Sequence, residues 1–257
     1  MYARVTKLLW MSLIWTSAHA GTVRMQADDG QTLFADHSGS GTHGVLLIHG
    51  QDRSAKDWTS LSQALVGAGH QVLAIDLRGH GRSEAPVLDE ADVPDLLSQD
   101  VRAAVAWLRS NGAKNLSLVG AELGANLALH AAAADIDIDR LVLLSPGLNI
   151  QGVRIVAPIA RFSGRPLMLV ASRGDPVSSK AATLLEAQSK GETSLILTDG
   201  GARGAGMLNT DNTLEGTVLA WLTIANATDT TSLDRGPNAT SLPGAVRTSG
   251  TLLEDRN

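Results

Sequence analysis

The chain has 257 residues, a length that fits one large domain or two small ones. Its hydrophobic content of 44% and charged content of 18% exclude a wholly disordered, collagen-like or coiled-coil protein. The formal net charge of -5 lacks the excess of Lys and Arg that phosphate binding needs, so we predict no nucleic-acid partner. Because the chain contains no cysteine, disulfides, iron–sulfur clusters and thiol catalysis are excluded.

The first twenty residues have the three-part pattern of a secretory signal peptide. Arg4 and Lys7 precede an apolar run at residues 8–15, and Ala18-His19-Ala20 is a small-x-small cleavage site. A buried N-terminal helix is the alternative. The apolar run is shorter than the ~20 residues that a membrane-spanning helix needs. We therefore predict that residues 1–20 are a signal peptide cleaved near Ala20, and that the mature protein is secreted or periplasmic without a membrane span.

After Gly21, short apolar runs alternate with amphipathic segments. Asp28-Asp29-Gly30 is a turn signal between two extended runs, which predicts a hairpin. Buried strands are predicted at 45–48, 72–75, 116–119, 141–144, 167–170 and 195–197, and helices around 61–66, 96–108, 123–134, 179–189 and 213–225. This alternation predicts an α/β fold with a mostly parallel central sheet and helices on both faces.

The composition changes near Thr228. From there to the end the chain is rich in Thr, Ser, Asn, Asp, Gly and Pro and has no hydrophobic period. We predict one domain over residues 21–227 and a flexible C-terminal tail over residues 228–257.

Three strand-end junctions hold the residues with catalytic potential. They are His49-Gly50-Gln51, the run from Asp76 to Ser83 (DLRGHGRS), and the run from Val119 to Asn126 (VGAELGAN), in which a strand leads directly into a helix. In this order and on these elements, the motifs resemble the α/β-hydrolase family, particularly its small extracytoplasmic esterase-like members. The resemblance covers the chain from Thr22 to about Ala225 and implies the α/β-hydrolase fold.

The resemblance implies where a catalytic triad would lie. The third junction matches the nucleophile elbow G-x-S-x-G, but Glu122 replaces the serine. Asp175 follows a later strand and matches the family's acid, and Arg203 stands in the Gly-rich turn where the histidine belongs. The backbone N–H groups of Gln51 and Leu123 would form the oxyanion hole.

The same resemblance predicts little covering of the cleft. Family members with a large lid insert it between the strands predicted at 141–144 and 167–170. Only about twenty residues separate those strands here. We therefore expect a minimal cap, in which residues 145–165 form no more than a short helix beside the elbow, and an open cleft.

No histidine is available to replace the missing base. The chain has 7 histidines and the last is His130, before the half that supplies the base. Arginine keeps its proton at any working pH, so Arg203 cannot act as a general base. We predict that serine-hydrolase activity is absent.

Glu122 has two interpretations. As a carboxylate at the elbow it could act as nucleophile or as general base on water, in a hydrolase of a small ester or related substrate. Alternatively it caps the N-terminus of its helix, with Arg203 as counter-charge. In that case Arg203, whose five donors can engage two acids, lies between Glu122 and Asp175, with the charged groups within ~4 Å.

The favoured hypothesis is a binding or structural pseudoenzyme whose cleft holds an unidentified small molecule or protein.

No cofactor or metal is predicted. The Gly39–Gly44 run fits G-x-G-x-x-G but precedes a strand, and Arg140 breaks the calcium-loop pattern that begins at Asp135. Ser145 lacks an elbow and a base, which predicts a polar residue at a strand end.

Overall fold

The computed structural model describes residues 20–85, 89–162, 164–210 and 212–227. Apart from Ala20, the predicted signal peptide lies outside these residues, and so does the predicted tail over residues 228–257. Both therefore stay predictions.

The described residues form ten strands, eight of which make the central sheet. In chain order the strands are β1 (Gly21–Gln26), β2 (Thr32–Ser38), β3 (His43–Ile48), β4 (Gln71–Asp76), β5 (Asn115–Ala121), β6 (Ile138–Leu144), β7 (Asn149–Ile150), β8 (Val153–Arg154), β9 (Leu167–Ser172) and β10 (Thr193–Thr198). The spatial order in the sheet is β1-β2-β4-β3-β5-β6-β9-β10. β1, β2 and β4 pair antiparallel, and every later neighbour is parallel. The predicted hairpin and mostly parallel sheet are confirmed.

Helices cover both faces of the sheet. The described α-helices are α1 (Thr59–Gly67), α2 (Val93–Ser110), α3 (Leu123–Ala134), α4 (Val156–Arg161), α5 (Pro176–Gln188), α6 (Gly206–Thr210) and α7 (Asn212–Ala227). One apolar core joins the sheet to α2, α3, α4 and α5, and a second joins the opposite face to α1, α6 and α7. Every residue of β3, β4 and β9 is buried, as expected for strands that are covered on both sides.

The connection from β6 to β9 is short and lies beside α3. It contains the two-residue strands β7 and β8, paired antiparallel, and the six-residue helix α4. α4 packs against α3 and α5. The connection contains the β7–β8 hairpin in addition to the short helix expected from the sequence. The cap is minimal, as predicted.

A buried ion-pair network ties the β1–β2 turn to the sheet and to α2. Arg78, 3% exposed, follows β4 and donates from Nε to Asp100 Oδ1 at 2.8 Å and from Nη1 to Asp29 Oδ2 at 2.6 Å. The Asp100 carboxylate also accepts the backbone N–H of Arg78 at 2.8 Å. Burial raises the pKa of Asp100, and the Arg78 hydrogen bond opposes that shift. The second sequence motif thus contains a structural arginine.

Within the described residues, no helix is long and apolar enough to cross a membrane.

Candidate active site

Glu122 occupies a tight turn between β5 and α3, with φ 50° and ψ -111°. A positive φ is uncommon for a residue that carries a side chain. Gly120 and Gly124 allow the turn, because a Cβ on Gly120 would lie 2.2 Å from Gly124 O and one on Gly124 would lie 2.2 Å from Ile48 O. The Glu122 N–H donates to Leu144 O at 2.8 Å. The elbow therefore has the expected strand–turn–helix backbone with glutamate in place of serine.

The Glu122 side chain does not cap α3. It stands at the N-cap position, but its carboxylate accepts no hydrogen bond from the helix. The expectation of a side-chain cap is therefore wrong. A capping residue has extended backbone angles, whereas the positive φ of Glu122 directs its side chain away from the first turn. The side chain instead lies close to Gly50 and Gly204, where a Cβ would approach it to 2.6 and 3.2 Å, respectively.

Arg203 lies between the two acids. Its Nε is 2.7 Å from Asp175 Oδ2 and 3.4 Å from Glu122 Oε1, so both predicted contacts within ~4 Å are present. Asp175 Oδ2 has no hydrogen-bond partner among the described residues, so its contact with Arg203 is an ion pair without hydrogen-bond geometry. The side chains of Asp175, Glu122 and Arg203 are 8%, 25% and 51% exposed. The cluster is thus buried at Asp175 and open at Arg203.

Asp175 is also the N-cap of α5. It follows β9, and its side chain accepts the backbone N–H of Ser178 at 3.4 Å. Pro176 stands at the start of the helix, where its missing N–H is not needed. One carboxylate oxygen thus serves α5 while the other faces Arg203.

Ser145 positions the loop that contains Arg203. It follows β6 with φ 52° and is 1% exposed. Its Oγ accepts the backbone N–H of Gly204 at 2.9 Å and donates to Met207 Sδ at 3.3 Å. The sequence predicted only a strand-end polar residue here. Its position directly after a buried strand was the available signal, but the Gly204 partner is 59 positions away.

Asn126 keeps the β6–β9 connection beside α3. Its Nδ2 donates to Gly147 O at 2.8 Å and to Val153 O at 2.7 Å, and its Oδ1 accepts the Gly147 N–H at 3.2 Å. Asn126 is fully buried. The sequence shows Asn126 only as the last residue of the elbow motif, so this role was not predicted.

His49 is a structural residue. Its Nε2 accepts the backbone N–H of Leu77 at 3.0 Å, and its Nδ1 lies 2.7 Å from Gly50 O. These partners require a neutral ring with the proton on Nδ1. Burial lowers the pKa of His49 to about 4. Both ring nitrogens are therefore engaged.

Asp76 shapes the loop after β3. Its Oδ1 accepts the backbone N–H of Ala55 at 2.8 Å, and its Oδ2 accepts from Arg82 Nε at 2.7 Å. Gly81 is needed beside it, because a Cβ there would lie 2.4 Å from Asp76 Oδ1. The second motif thus fixes the segment that contains Gln51.

A cleft with a volume of about 350 Å³ opens over the elbow. Its polar side chains are Arg53, Asp57, Glu122, Arg203 and Thr210, and the rest of its lining is glycine and alanine. Arg53 Nε lies 2.6 Å from Asp57 Oδ2 at the rim. The hydrogen bond to Asp57 holds the pKa of Arg53 above its usual value. The small lining residues leave room for a ligand next to the carboxylate of Glu122.

The two predicted oxyanion-hole residues flank the cleft. Gln51 follows the lining residue Gly50, and Leu123 is the first residue of α3, directly after Glu122. Neither backbone N–H donates a hydrogen bond to another described residue. Both groups are thus free to bind an acceptor, and their role stays a prediction.

No group of three or more His, Asp or Glu side chains in the described part of the chain is arranged to hold a metal ion. The residues around Glu122 include two arginines, which repel a cation.

The fold and the elbow define an α/β-hydrolase-fold protein. Residues 45–246 match the profile of the alpha/beta hydrolase family, and the chain belongs to that family.

Two curated relatives from Mycobacterium tuberculosis match part of the chain. Lipase LipV is 32% identical over 143 residues, which cover 55% of this chain and 50% of the lipase. Epoxide hydrolase B is 40% identical over 84 residues, which cover 33% of this chain and 23% of that enzyme. The chain thus spans no more than half the length of either relative.

Solved structures share the fold at low identity. An esterase of Pyrococcus furiosus, Pf2001, has a TM-score of 0.70 at 18% identity, over 80% of this chain and 93% of that chain. A dienelactone hydrolase of Anabaena variabilis has a TM-score of 0.66 at 18% identity, over 81% and 98% of the two chains. At these identities the likeness shows the fold alone.

Proposed function

We propose that this protein is a secreted or periplasmic pseudoenzyme whose cleft binds a small polar ligand without serine-hydrolase turnover. The supporting observation is that Arg203 fills the position of the base, with its Nε 2.7 Å from Asp175 and 3.4 Å from Glu122. An arginine is already protonated at any working pH and cannot accept a proton from a nucleophile. The three triad-equivalent residues neutralise one another in part and do not relay a proton.

No histidine substitutes for the base in this proposal. His49 precedes the cleft-lining Gly50, but it is fully buried and both its ring nitrogens have partners. The chain has no histidine after His130. A serine-type acyl transfer needs an activated hydroxyl and a base, and this cleft provides neither.

The cleft chemistry favours a ligand with both an acceptor and a donor. The backbone N–H groups of Gln51 and Leu123 have no acceptor among the described residues, so an oxygen atom of the ligand can accept from them. The Glu122 carboxylate makes no hydrogen bond with another described residue and attracts a donor or a cationic group. With Arg53, Arg203, Asp57 and Asp175, the local charges sum to about -1, which disfavours a simple anion.

One observation favours a second candidate, a hydrolase in which Glu122 is the nucleophile or the base on water. Glu122 keeps the strained elbow angles, φ 50° and ψ -111°, and its side chain is 25% exposed. A carboxylate there can attack an electrophilic carbon to form an ester, which water must then release. The relative named epoxide hydrolase B makes an epoxide a reasonable test substrate beside a small ester. The ion pair with Arg203 opposes this candidate because it lowers the nucleophilicity of the carboxylate.

Hydrolysis assays separate the two candidates. We expect the purified protein to hydrolyse p-nitrophenyl acetate, p-nitrophenyl butyrate and styrene oxide no faster than buffer with bovine serum albumin. Turnover with three properties would establish the hydrolase instead. Glu122→Gln abolishes it, the exposed control Glu186→Gln retains it, and a serine-directed phosphonate leaves it unchanged. Turnover that the phosphonate blocks would contradict both candidates.

A thermal-shift screen tests binding directly. The screen uses small amides, hydroxamates, amines and amino acids, which differ in donor and acceptor groups. We expect at least one class to raise the melting temperature of the wild type and of Glu186→Gln but not of Glu122→Gln. A screen in which every shift is equal in wild type and Glu122→Gln would reject the cleft as the binding site.

Export is proposed on residues 1–20 alone. We expect the mature protein from its native compartment to begin at or near Gly21, which mass spectrometry of the intact chain measures. A retained Met1 or a retained apolar run would overturn the proposed localisation.

A further inference from the structure

A second cavity, with a volume of about 590 Å³, lies beside α5. It shares no lining residue with the cleft over Glu122. Its apolar part consists of Leu148 after β6, Leu184 and Ala187 on α5, and Leu197 on β10. We call this cavity the α5 groove. Its volume falls within the ~300–1,000 Å³ that is usual for small-molecule sites.

One face of α5 forms a wall of the groove. Lys180, Leu184 and Ala187 follow the i, i+4, i+7 spacing, so they share a helix face. Leu184 is half-buried and Ala187 is exposed. Leu148, across the groove, is 38% exposed. An alkyl chain that covers these partly exposed apolar side chains removes their surface from water, which favours binding.

The groove has cations and no acid in its lining. Arg173 and Lys180 supply two positive charges, and none of the lining residues is Asp or Glu. Arg173 Nη1 donates to Leu197 O at 2.6 Å, which holds its stem along the groove. Its nearest acid is Asp199, at 3.6 Å and 94% exposed, an ion pair that water weakens strongly. Lys180 makes no ion pair with any described residue.

We propose that the α5 groove is a binding site for a medium-chain fatty carboxylate. The alkyl chain covers Leu148, Leu184 and Leu197, and the carboxylate pairs with Lys180 and Arg173. The hydroxyl group of Ser179 lines the same wall and adds a hydrogen-bond donor for the head group, whereas the Thr183 hydroxyl donates to Ser179 O at 2.9 Å. A cationic amphiphile of the same length has the apolar gain but is repelled by the two cations. The site is separate from the cleft and does not depend on its function.

Isothermal titration of the mature protein with sodium decanoate tests the proposal. Decyltrimethylammonium is the probe of opposite charge, and both are kept below their micelle concentrations. We expect saturable decanoate binding to the wild type and at least about tenfold weaker decyltrimethylammonium binding. The double variant Arg173→Gln/Lys180→Gln should weaken decanoate binding by about tenfold, and Leu184→Asp should abolish it.

Matched variants test whether decanoate binds in the α5 groove. The control Arg24→Gln/Lys114→Gln removes two exposed cations elsewhere and should retain wild-type affinity, as should Glu122→Gln. Absence of saturable decanoate binding to the wild type would overturn the proposal. Equal affinity for the two amphiphiles, or loss of binding in Glu122→Gln with retention in Arg173→Gln/Lys180→Gln, would also overturn it. Circular dichroism of each variant excludes misfolding as the cause of a loss.

Discussion

Arg203 Nε lies 2.7 Å from Asp175 Oδ2, where a histidine would face the acid in the family to which this chain belongs. Asp175 is nearly buried, and Arg203 is half exposed. The guanidinium therefore supplies a permanent positive charge to a carboxylate that has little contact with water. Arg203 therefore pairs with the acid as a permanent cation in the position where the family has a titratable base.

The two ion pairs of Arg203 should differ in strength. In double-mutant cycles we expect Arg203→Met to couple with Glu122→Gln by about 1 kcal/mol or less, because that contact is longer and more exposed. Coupling with Asp175→Asn should be larger, on the order of 1–3 kcal/mol, because Asp175 is shielded from water. Urea unfolding at neutral pH measures both. Additive effects in the Asp175 cycle would contradict the ion pair.

Ser145 should stabilise the loop that contains Arg203. In Ser145→Ala the buried Gly204 N–H loses its acceptor, which should cost about 1–3 kcal/mol of unfolding free energy. Ser145→Gly removes the same hydroxyl but tolerates φ 52°, so it should cost less than the alanine variant. The exposed Ser110→Ala is the control and should stay within about 0.5 kcal/mol of wild type. A larger loss in the glycine variant would contradict this account.

The elbow glycines should not tolerate a methyl group. Gly124→Ala places a Cβ 2.2 Å from Ile48 O, a backbone atom that cannot move without shifting β3, so we expect a loss of about 3 kcal/mol or more. Gly216→Ala in α7 is the matched control, because its Cβ would meet nothing within 4 Å. Ala is the better helix former, so that variant should gain about 0.5–1 kcal/mol. Thermal unfolding that ranks the two variants in the opposite order would refute the steric argument.

Acid should destabilise the fold through its buried histidines. Burial lowers the pKa of His49 to about 4, and burial together with His43 lowers the pKa of His70 to about 4, from 6.5. The unfolded chain therefore binds more protons than the folded chain as the pH falls below about 6.5. The free energy of unfolding has its full value with respect to these histidines above about pH 6.5 and decreases as the pH falls toward 4. Between pH 7.5 and 5.5 we expect a loss of about 1 kcal/mol per histidine.

Urea unfolding at both pH values measures that loss. His70→Gln should reduce the loss by about 1 kcal/mol, which is the expected contribution of that one histidine. A pH dependence that His70→Gln does not alter would exclude His70 as a contributor.

Local patterns predicted the main architecture. Apolar runs such as 45–48 and 116–119 lie within β3 and β5, and the helix predicted at 123–134 has the same bounds as α3. The small elements missed were β7, β8 and α6, which are too short to produce a hydrophobic period. The helix predicted to begin at 96 begins at Val93, because Pro94 is well suited to the first turn.

The sequence by itself determined which residues stand at the elbow, acid and base positions, because chain order and the flanking glycines identify them. It also determined that no histidine follows His130. Only the tertiary structure decided that Glu122 turns away from its helix toward Arg203, and that Ser145 and Asn126 hold the loops around the site. Those contacts join segments that are far apart in the chain. Their geometry depends on how the strands and helices pack, and the hydrophobic periodicity of a short segment contains no information on that packing.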